Sequence, residues 1–226
     1  MSGSEPDWKD FLDRYGYYAA TFELEGGARP TLPQLKEWMS GDSPRYTGWP
    51  PFWWPTRREI APRVIDQESY ECLHDGTGIV GHIERWRAST SGVFTIVRGH
   101  DSDREAEPGG FFELTLPVWR VSELLLYAGR MAGRFGAYAV DFTLRYEGLQ
   151  GRVLSTRASP MRMLAGRYTT GASRYERRVA LRSTDIDAGV VEMTDDLVRG
   201  LFGMFQFELP ASLCEEEIEK MRASRM

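Results

Sequence analysis

The residues able to carry chemistry are few and scattered. Cys72, His74, His82 and His100 are the soft metal-ligand candidates, and Cys72 and His74, two apart on an expected strand, share a face. A structural zinc site closes four ligands at tight spacing, and this order matches no such pattern. The four residues read as a buried thiol and unrelated histidines, with no metal and no cofactor. Glu113 and Asp141, each on an expected strand, are the carboxylates that could anchor a metal-dependent nuclease centre, yet no lysine stands near either. Gly-x-Ser-x-Gly, the phosphate-cradling Gly-x-x-x-x-Gly-Lys-Ser/Thr loop and the dinucleotide Gly-x-Gly-x-x-Gly are absent. Spacing assigns no reaction, and the reading leans away from an enzyme.

Two other features read as recognition surfaces. Trp49 to Pro55 holds three tryptophans, Phe52 and three prolines in seven residues. Each proline fixes its own φ and removes a backbone donor, so this segment is a rigid loop, neither helix nor inner strand. Trp49, Phe52, Trp53 and Trp54 are its partner-binding candidates, because buried aromatic anchors dominate protein interfaces. The competing reading is that the rings plug the domain's own core. The second feature is an arginine band. Nine arginines stand against three acids between Tyr138 and Arg182, and ten acids against Arg199 alone between Asp185 and Glu219. If the strands align, Arg145, Arg152, Arg174, Arg177 and Arg178 would meet phosphates, with nearby tyrosines stacking on bases. The simpler account is that the arginines face the acidic helices that follow them.

The elements that must position these residues follow from periodicity. An amphipathic helix begins near Asp7, with Trp8, Phe11, Leu12, Tyr15 and then Tyr18 or Ala19 on its stripe. Thr31 caps a short second helix. Strands are expected at Tyr70 to Leu73, His82 to Ala88, Gly92 to Arg98 and Phe111 to Leu116, with His100 to Gly110 an exposed loop. Val121, Leu124, Leu125, Ala128, Met131, Ala132 and Phe135 mark the clearest helix, ended by Gly136. Strands from Ala137 to Arg145 and from Gly151 to Thr156 follow, joined by a turn at Glu147-Gly148, then a strand from Arg174 to Leu181. A helix from Thr184 to Phe207 and another opened by Pro210 complete the chain.

Together these predict a single α+β domain, 1–226, built mainly of antiparallel sheet. It divides into an N-terminal helical segment (1–41), a sheet-rich body (42–183) and C-terminal helices (184–226), with the terminal helices at the periphery. A composition that is 42% hydrophobic and 27% charged fits a soluble protein, and no apolar stretch approaches the roughly 20 residues of a membrane span. The two distant cysteines, Cys72 and Cys214, read as reduced thiols of a cytoplasmic protein.

Several segments are familiar as a set: Tyr46-Thr47-Gly48-Trp49-Pro50-Pro51-Phe52-Trp53, Ile60-Ala61-Pro62, Trp86-Arg87-Ala88-Ser89, Phe94-Thr95-Ile96-Val97-Arg98-Gly99, Leu114-Thr115-Leu116-Pro117-Val118-Trp119-Arg120-Val121 and Tyr146-Glu147-Gly148-Leu149-Gln150-Gly151-Arg152. In that order they resemble the region that accompanies Schlafen-type, Alba-like nucleic-acid-binding domains in bacterial regulatory proteins. The resemblance spans Tyr46 to Leu209. The Schlafen-type domain itself would precede this region and has no counterpart in Met1 to Gly41, so none of its functional residues transfers. The resemblance implies an accessory half that binds a protein partner, such as a separately encoded effector, in transcriptional control or defence. The expectation is therefore a non-catalytic recognition module that binds a protein and, through its arginines, nucleic acid. Two alternatives stand beside it: a nucleic-acid-processing enzyme with a divergent carboxylate site at Glu113 and Asp141, and a small-molecule sensor with a pocket between the Val121 to Phe135 helix and the sheet.

Overall fold

The structure, a computed structural model, describes residues 8–41, 46, 50–75, 83–104, 108–157 and 162–224. Helix α1 (Trp8–Tyr15) ends at Gly16, and strand β1 (Tyr17–Glu25) begins at once. The amphipathic stripe predicted a helix reaching Tyr18 or Ala19. Gly16 cuts it short because its φ is 86° and a Cβ there would lie 2.2 Å from the Glu147 carbonyl oxygen. Only glycine tolerates both the left-handed backbone and that approach. Helix α2 (Leu32–Gly41) opens on a reciprocal cap: the Gln34 amide donates to Thr31 Oγ1 at 3.4 Å and the Thr31 amide to Gln34 Oε1 at 2.9 Å.

A meander follows, through β2 (Arg63–Val64), β3 (Ser69–Asp75), β4 (Ile83–Ser89) and β5 (Val93–Gly99). A 3-10 turn (Asp101–Arg104), β6 (Phe111–Glu113) and α3 (Leu116–Phe135) lead to β7 (Ala139–Glu147), β8 (Val153–Ser155) and β9 (Arg174–Arg182). A second 3-10 turn (Ser183–Asp185) precedes α4 (Val190–Met204), and α5 (Leu213–Ala223) is last. The α+β class is as expected. Seven strands form one sheet in the order β2-β3-β4-β5-β1-β7-β9, every neighbouring pair antiparallel, while β6 and β8 make a small parallel pair.

Two expectations about connectivity are corrected. The 1–41 segment is not only helical, because β1 is inserted between β5 and β7 in the middle of the sheet. The strands flanking Glu147-Gly148 do not form a hairpin either: β7 pairs with β1 and β9, and β8 pairs with β6. The single long helix expected from Thr184 resolves into the 3-10 turn and α4.

Registers sort the strand residues onto two faces. Tyr18, Ala20 and Phe22 of β1 align with Arg98, Ile96 and Phe94 of β5 and with Tyr146, Leu144 and Phe142 of β7. That inner face carries the core, and α3 lies across it with every residue of its predicted apolar stripe buried. One contiguous cluster extends from Tyr18 to Met221 through α2, α3, α4 and α5. On the outer face, α1 covers one end, where Phe11 and Leu12 approach Gly99. Among the described residues no helix is long and apolar enough to cross a membrane.

Arg152 ties the start of the sheet together. Its side chain is fully buried, and all five N–H donors find acceptors. Nε donates to the Gly148 carbonyl (2.7 Å), and Nη1 donates to Asp103 Oδ1 (2.7 Å) and the Phe111 carbonyl (2.7 Å). Nη2 donates to Asp103 Oδ2 (2.6 Å) and to the carbonyl of Tyr15. The start of the stretch expected as an exposed loop from His100 to Gly110 is consequently folded inward: His100, Ser102 and Asp103 are buried. Removing one partner of such a pair strands the other charge in the interior. Arg152→Met is therefore expected to cost about 3–5 kcal/mol in urea unfolding, and adding Asp103→Leu to recover part of that loss.

Candidate functional site: an aromatic-backed sheet edge

The tryptophan loop is first of all a core plug. Pro50, Pro51 and Pro55 are buried, and Phe52 is wholly so, with a φ of 55° that few bulky residues adopt. That conformation drives its ring between sheet and α3, stacked on Tyr127 at 4.9 Å and edge-on to Phe22, Phe94 and Trp86. Phe52 is thus corrected from partner contact to core residue: a ring with no exposed surface meets only its own fold. Trp49 lies outside the described residues. Trp53 and Trp54 are half-buried. The Trp53 carbonyl accepts from Trp86 Nε1 (3.1 Å) and its ring sits 5.6 Å from His74, while Trp54 packs on Tyr70 (4.9 Å) and Trp86 (5.8 Å). Both tryptophans therefore back the β3 end of the sheet. Beside them runs the edge strand β2, where Val64 stands opposite Tyr70 and is 56% exposed, and the adjoining Ile65 is 42% exposed. Half-buried indoles and two exposed branched side chains thus share one edge, held rigid from behind.

The arginine band is drawn into internal ion pairs. Arg178 clamps Asp141 (Nε–Oδ1 2.8 Å), Arg174 pairs with Glu147 (3.3 Å) and Glu176, and Arg145 lies 3.8 Å from Glu147, all on the outer face. Arg177 reaches Asp196 of α4 at 2.9 Å. Arg152 is the buried tie described above, which corrects its placement as a phosphate contact. Of the two accounts of the band, acidic helices claim only part: Arg177 through α4, and Arg162 through Glu216 (2.6 Å) and Glu217 (2.8 Å) of α5. Arg145, Arg174 and Arg178 answer carboxylates within the sheet itself, which local charge runs did not reveal. On the same face Arg85 pairs with Glu71, and Arg87 with Asp66 at 2.5 Å.

The chemical candidates do not converge. Glu113 is buried on β6, whereas Asp141 is on the outer face of β7, where hydrogen bonds from Arg178 hold its carboxyl below the usual range. Cys72 Sγ is 3.6 Å from His74 Nε2, the reach of a thiol–imidazole dyad. Burial, reinforced by Glu84 and Glu71, pushes the Cys72 thiol up to about 12, and burial lowers His74, so the pair stays thiol and neutral imidazole. A nucleophilic thiolate needs the opposite environment. Among the described residues no group of three or more His, Cys, Asp or Glu side chains is placed to hold a metal ion. His82 lies outside the described residues.

Comparison of the chain with protein families, with curated proteins and with solved structures finds no match.

His100 makes the acid limb of stability measurable. Burial, aided by Arg152, lowers its pKa to about 4, while its Nε2 lies 2.9 Å from the Glu147 carbonyl. The unfolded chain therefore binds the proton that the native state refuses between about pH 6.5 and 4. Stability is full above that window and falls as pH drops through it, by about 3 kcal/mol in total. His74 shifts in the same direction. Urea midpoints are expected to decline from pH 6.5 to 5, where the carboxylates are still ionised, and His100→Gln to flatten most of that slope.

Proposed function

We propose that this chain is a non-catalytic recognition module that binds a protein partner at the β2 edge backed by Trp53 and Trp54. The observation that carries the reading is the exposure of Val64 and Ile65 beside the half-buried indoles of Trp53, whose carbonyl is pinned by Trp86 Nε1, and Trp54, whose ring packs on Trp86. Rigid aromatic anchors with adjoining apolar surface are what interface hot spots use, because little entropy remains to be lost on docking. The separation of Glu113 from Asp141 and the protonated state of Cys72 count against an enzyme. The internal pairing of Arg145, Arg174, Arg177 and Arg178 counts against a phosphate-binding face, since each carboxylate would have to be displaced. The resemblance to the region accompanying Schlafen-type domains supplies the setting, a regulatory or defence system of the bacterial cytoplasm in which a separately encoded effector is the partner.

The test is site-specific photo-crosslinking in the native host, with benzoylphenylalanine at Ile65 and, as control, at Val93 on the outer face. A protein adduct is expected at position 65, absent at 93, and reduced at least tenfold by Val64→Asp. That substitution, on an exposed two-residue strand, should shift stability by no more than about 0.5 kcal/mol. No protein adduct at 65 would sink the reading. Purified protein should show no binding to single- or double-stranded nucleic acid at 50 mM salt; binding whose log affinity falls steeply with log salt would favour the phosphate-contact alternative.

A further inference from the structure

The sensor alternative places a pocket between the body of α3 and the sheet, and that space is filled by Phe22, Phe52, Phe94 and Tyr127. A polar cleft opens at the N-terminal end of α3, where Tyr18 and Tyr146 of the sheet meet Leu116, but only about 20 Å³ of it admits the centre of a water molecule. One water takes roughly 10–15 Å³ by that measure, so the cleft has room for about one water and for no ligand. The unengaged chemistry lies on the surface, at the contact edge proposed above.

Three arginines stand there without an internal answer. Arg57, Arg58 and Arg63 are exposed, and none has an ion-pair partner among the described residues. Arg85, Arg87, Arg145, Arg174 and Arg178 all have one. The acids nearby are already taken. Glu71, opposite Arg63, accepts from Arg85 Nε at 2.7 Å, Asp66 pairs with Arg87 at 2.5 Å, and Glu68 lies 4.0 Å from Arg29. Only Glu59 remains in this segment, so three cations face one anion and the edge carries an excess of positive charge.

These arginines are held where the exposed apolar side chains are. The Ile60 amide donates to the Arg57 carbonyl (3.2 Å), closing a turn, and the Cys72 thiol donates to the Ile60 carbonyl (3.3 Å), fixing that turn against β3. β2 pairs with the adjoining residues of β3, Arg63 opposite Glu71 and Val64 opposite Tyr70. The Ile65 amide donates to the Ser69 carbonyl (3.1 Å), and backbone groups alternate along an antiparallel pair, so Val64 turns its own N–H and C=O away from β3. Because β2 is the last strand of the sheet, those two groups face the open edge.

On the reading of this edge as a protein-contact surface, we infer that the partner's segment there is an extended acidic peptide. It takes both backbone hydrogen bonds of Val64 as an added strand, lays apolar side chains on Val64 and Ile65, and turns carboxylates to Arg57, Arg58 and Arg63. The sheet arginines would have to give up a carboxylate to bind one from outside, whereas these three give up only water. A nucleic acid is anionic too, but it offers no strand backbone to Val64, and the chain's net charge of −5 repels a long polyanion more than a short segment.

Fluorescence anisotropy on the full chain tests this with a short labelled peptide of alternating valine and glutamate, its lysine-for-glutamate counterpart, and oligothymidylate. The glutamate peptide is expected to bind, and to weaken about tenfold in the double substitution Arg57→Glu, Arg63→Glu and further as salt rises. N-methylation of its alternate amides should abolish binding, and the lysine peptide should not bind. Both substituted positions are exposed, so the variant should keep the parent's urea midpoint. The inference is overturned if the lysine peptide binds more tightly than the glutamate one, or if oligothymidylate binds more tightly than either with the same dependence on the arginines. Crosslinking from Ile65 in the host decides the case in which no synthetic peptide binds. The adduct is expected to fall about tenfold in the same double variant, and the partner fragment, read by mass spectrometry, to be acidic. An undiminished adduct or a fragment without acidic residues removes the acidic peptide and leaves the contact surface standing; no adduct at all removes both.

Discussion

A guanidinium buried without access to water is tolerable only when every donor is met, and Arg152 meets that condition by reaching four separate parts of the chain. It gathers the Tyr15 carbonyl at the end of α1, Asp103 in the 3-10 turn, the Phe111 carbonyl on β6 and the Gly148 carbonyl after β7. Gly16 and Gly148 come within reach of each other at the same spot, where a Cβ on Gly148 would lie 2.6 Å from the Gly16 Cα. These contacts decide that β1, early in the chain, is laid between two strands made much later. Bidentate geometry makes this specific as well as strong, because a lysine offers a point charge and three donors where the site needs a planar fork.

From that tie the rest of the inner face follows. With β1 central, Phe22 stacks on Phe94 at 4.6 Å and the aromatic loop can lower Phe52 onto Tyr127. A second buried pair, Arg98 with Glu84 at 2.5 Å from Nε to Oε2, lies between β4 and β5 on the same face, close to Tyr18. The polar end of the core is therefore concentrated where β1 starts, and the aromatic bulk lies further along the strand. The cleft beside α3 occurs at the polar end.

The outer face obeys a different rule. In each of its ion pairs at least one side chain is well exposed to solvent, so each pair contributes little to stability in water. What the pairs do is cancel one another's field: Arg178 with Asp141, Arg174 with Glu147 and Glu176, Arg85 with Glu71, Arg87 with Asp66. Charged residues on the long edge strand β9 also discourage pairing with another sheet. The short β2 edge and the adjoining Ile65 present two exposed apolar side chains instead, which is why the proposed contact surface is placed there.

Much of the local structure was legible in the order of residues. The stripe of α3, the Gly136 stop, the Thr31 cap and the strands at Tyr70, Val93, Ala139 and Arg174 all follow from period, cap chemistry and glycine. So did the thiol character of Cys72 and Cys214, both free and buried. The site was half legible: a rigid tryptophan loop was plain from its prolines, but which ring faced in was not. Phe52 inward with Trp53 and Trp54 half out depends on a left-handed φ at Phe52 and on Trp86, more than thirty residues away. The role of Arg152 was hidden for a similar reason, since its acceptors are mostly backbone carbonyls, which every residue carries. Periodicity and composition act over one turn or one strand, and so the amino-acid order by itself determined the elements, the α+β class and the stiffness of the loop. Strand order, the facing of each arginine and the meeting of Tyr146 with the start of α3 join residues far apart in the chain, and only the packed structure, through long-range hydrogen bonding and burial, decided them.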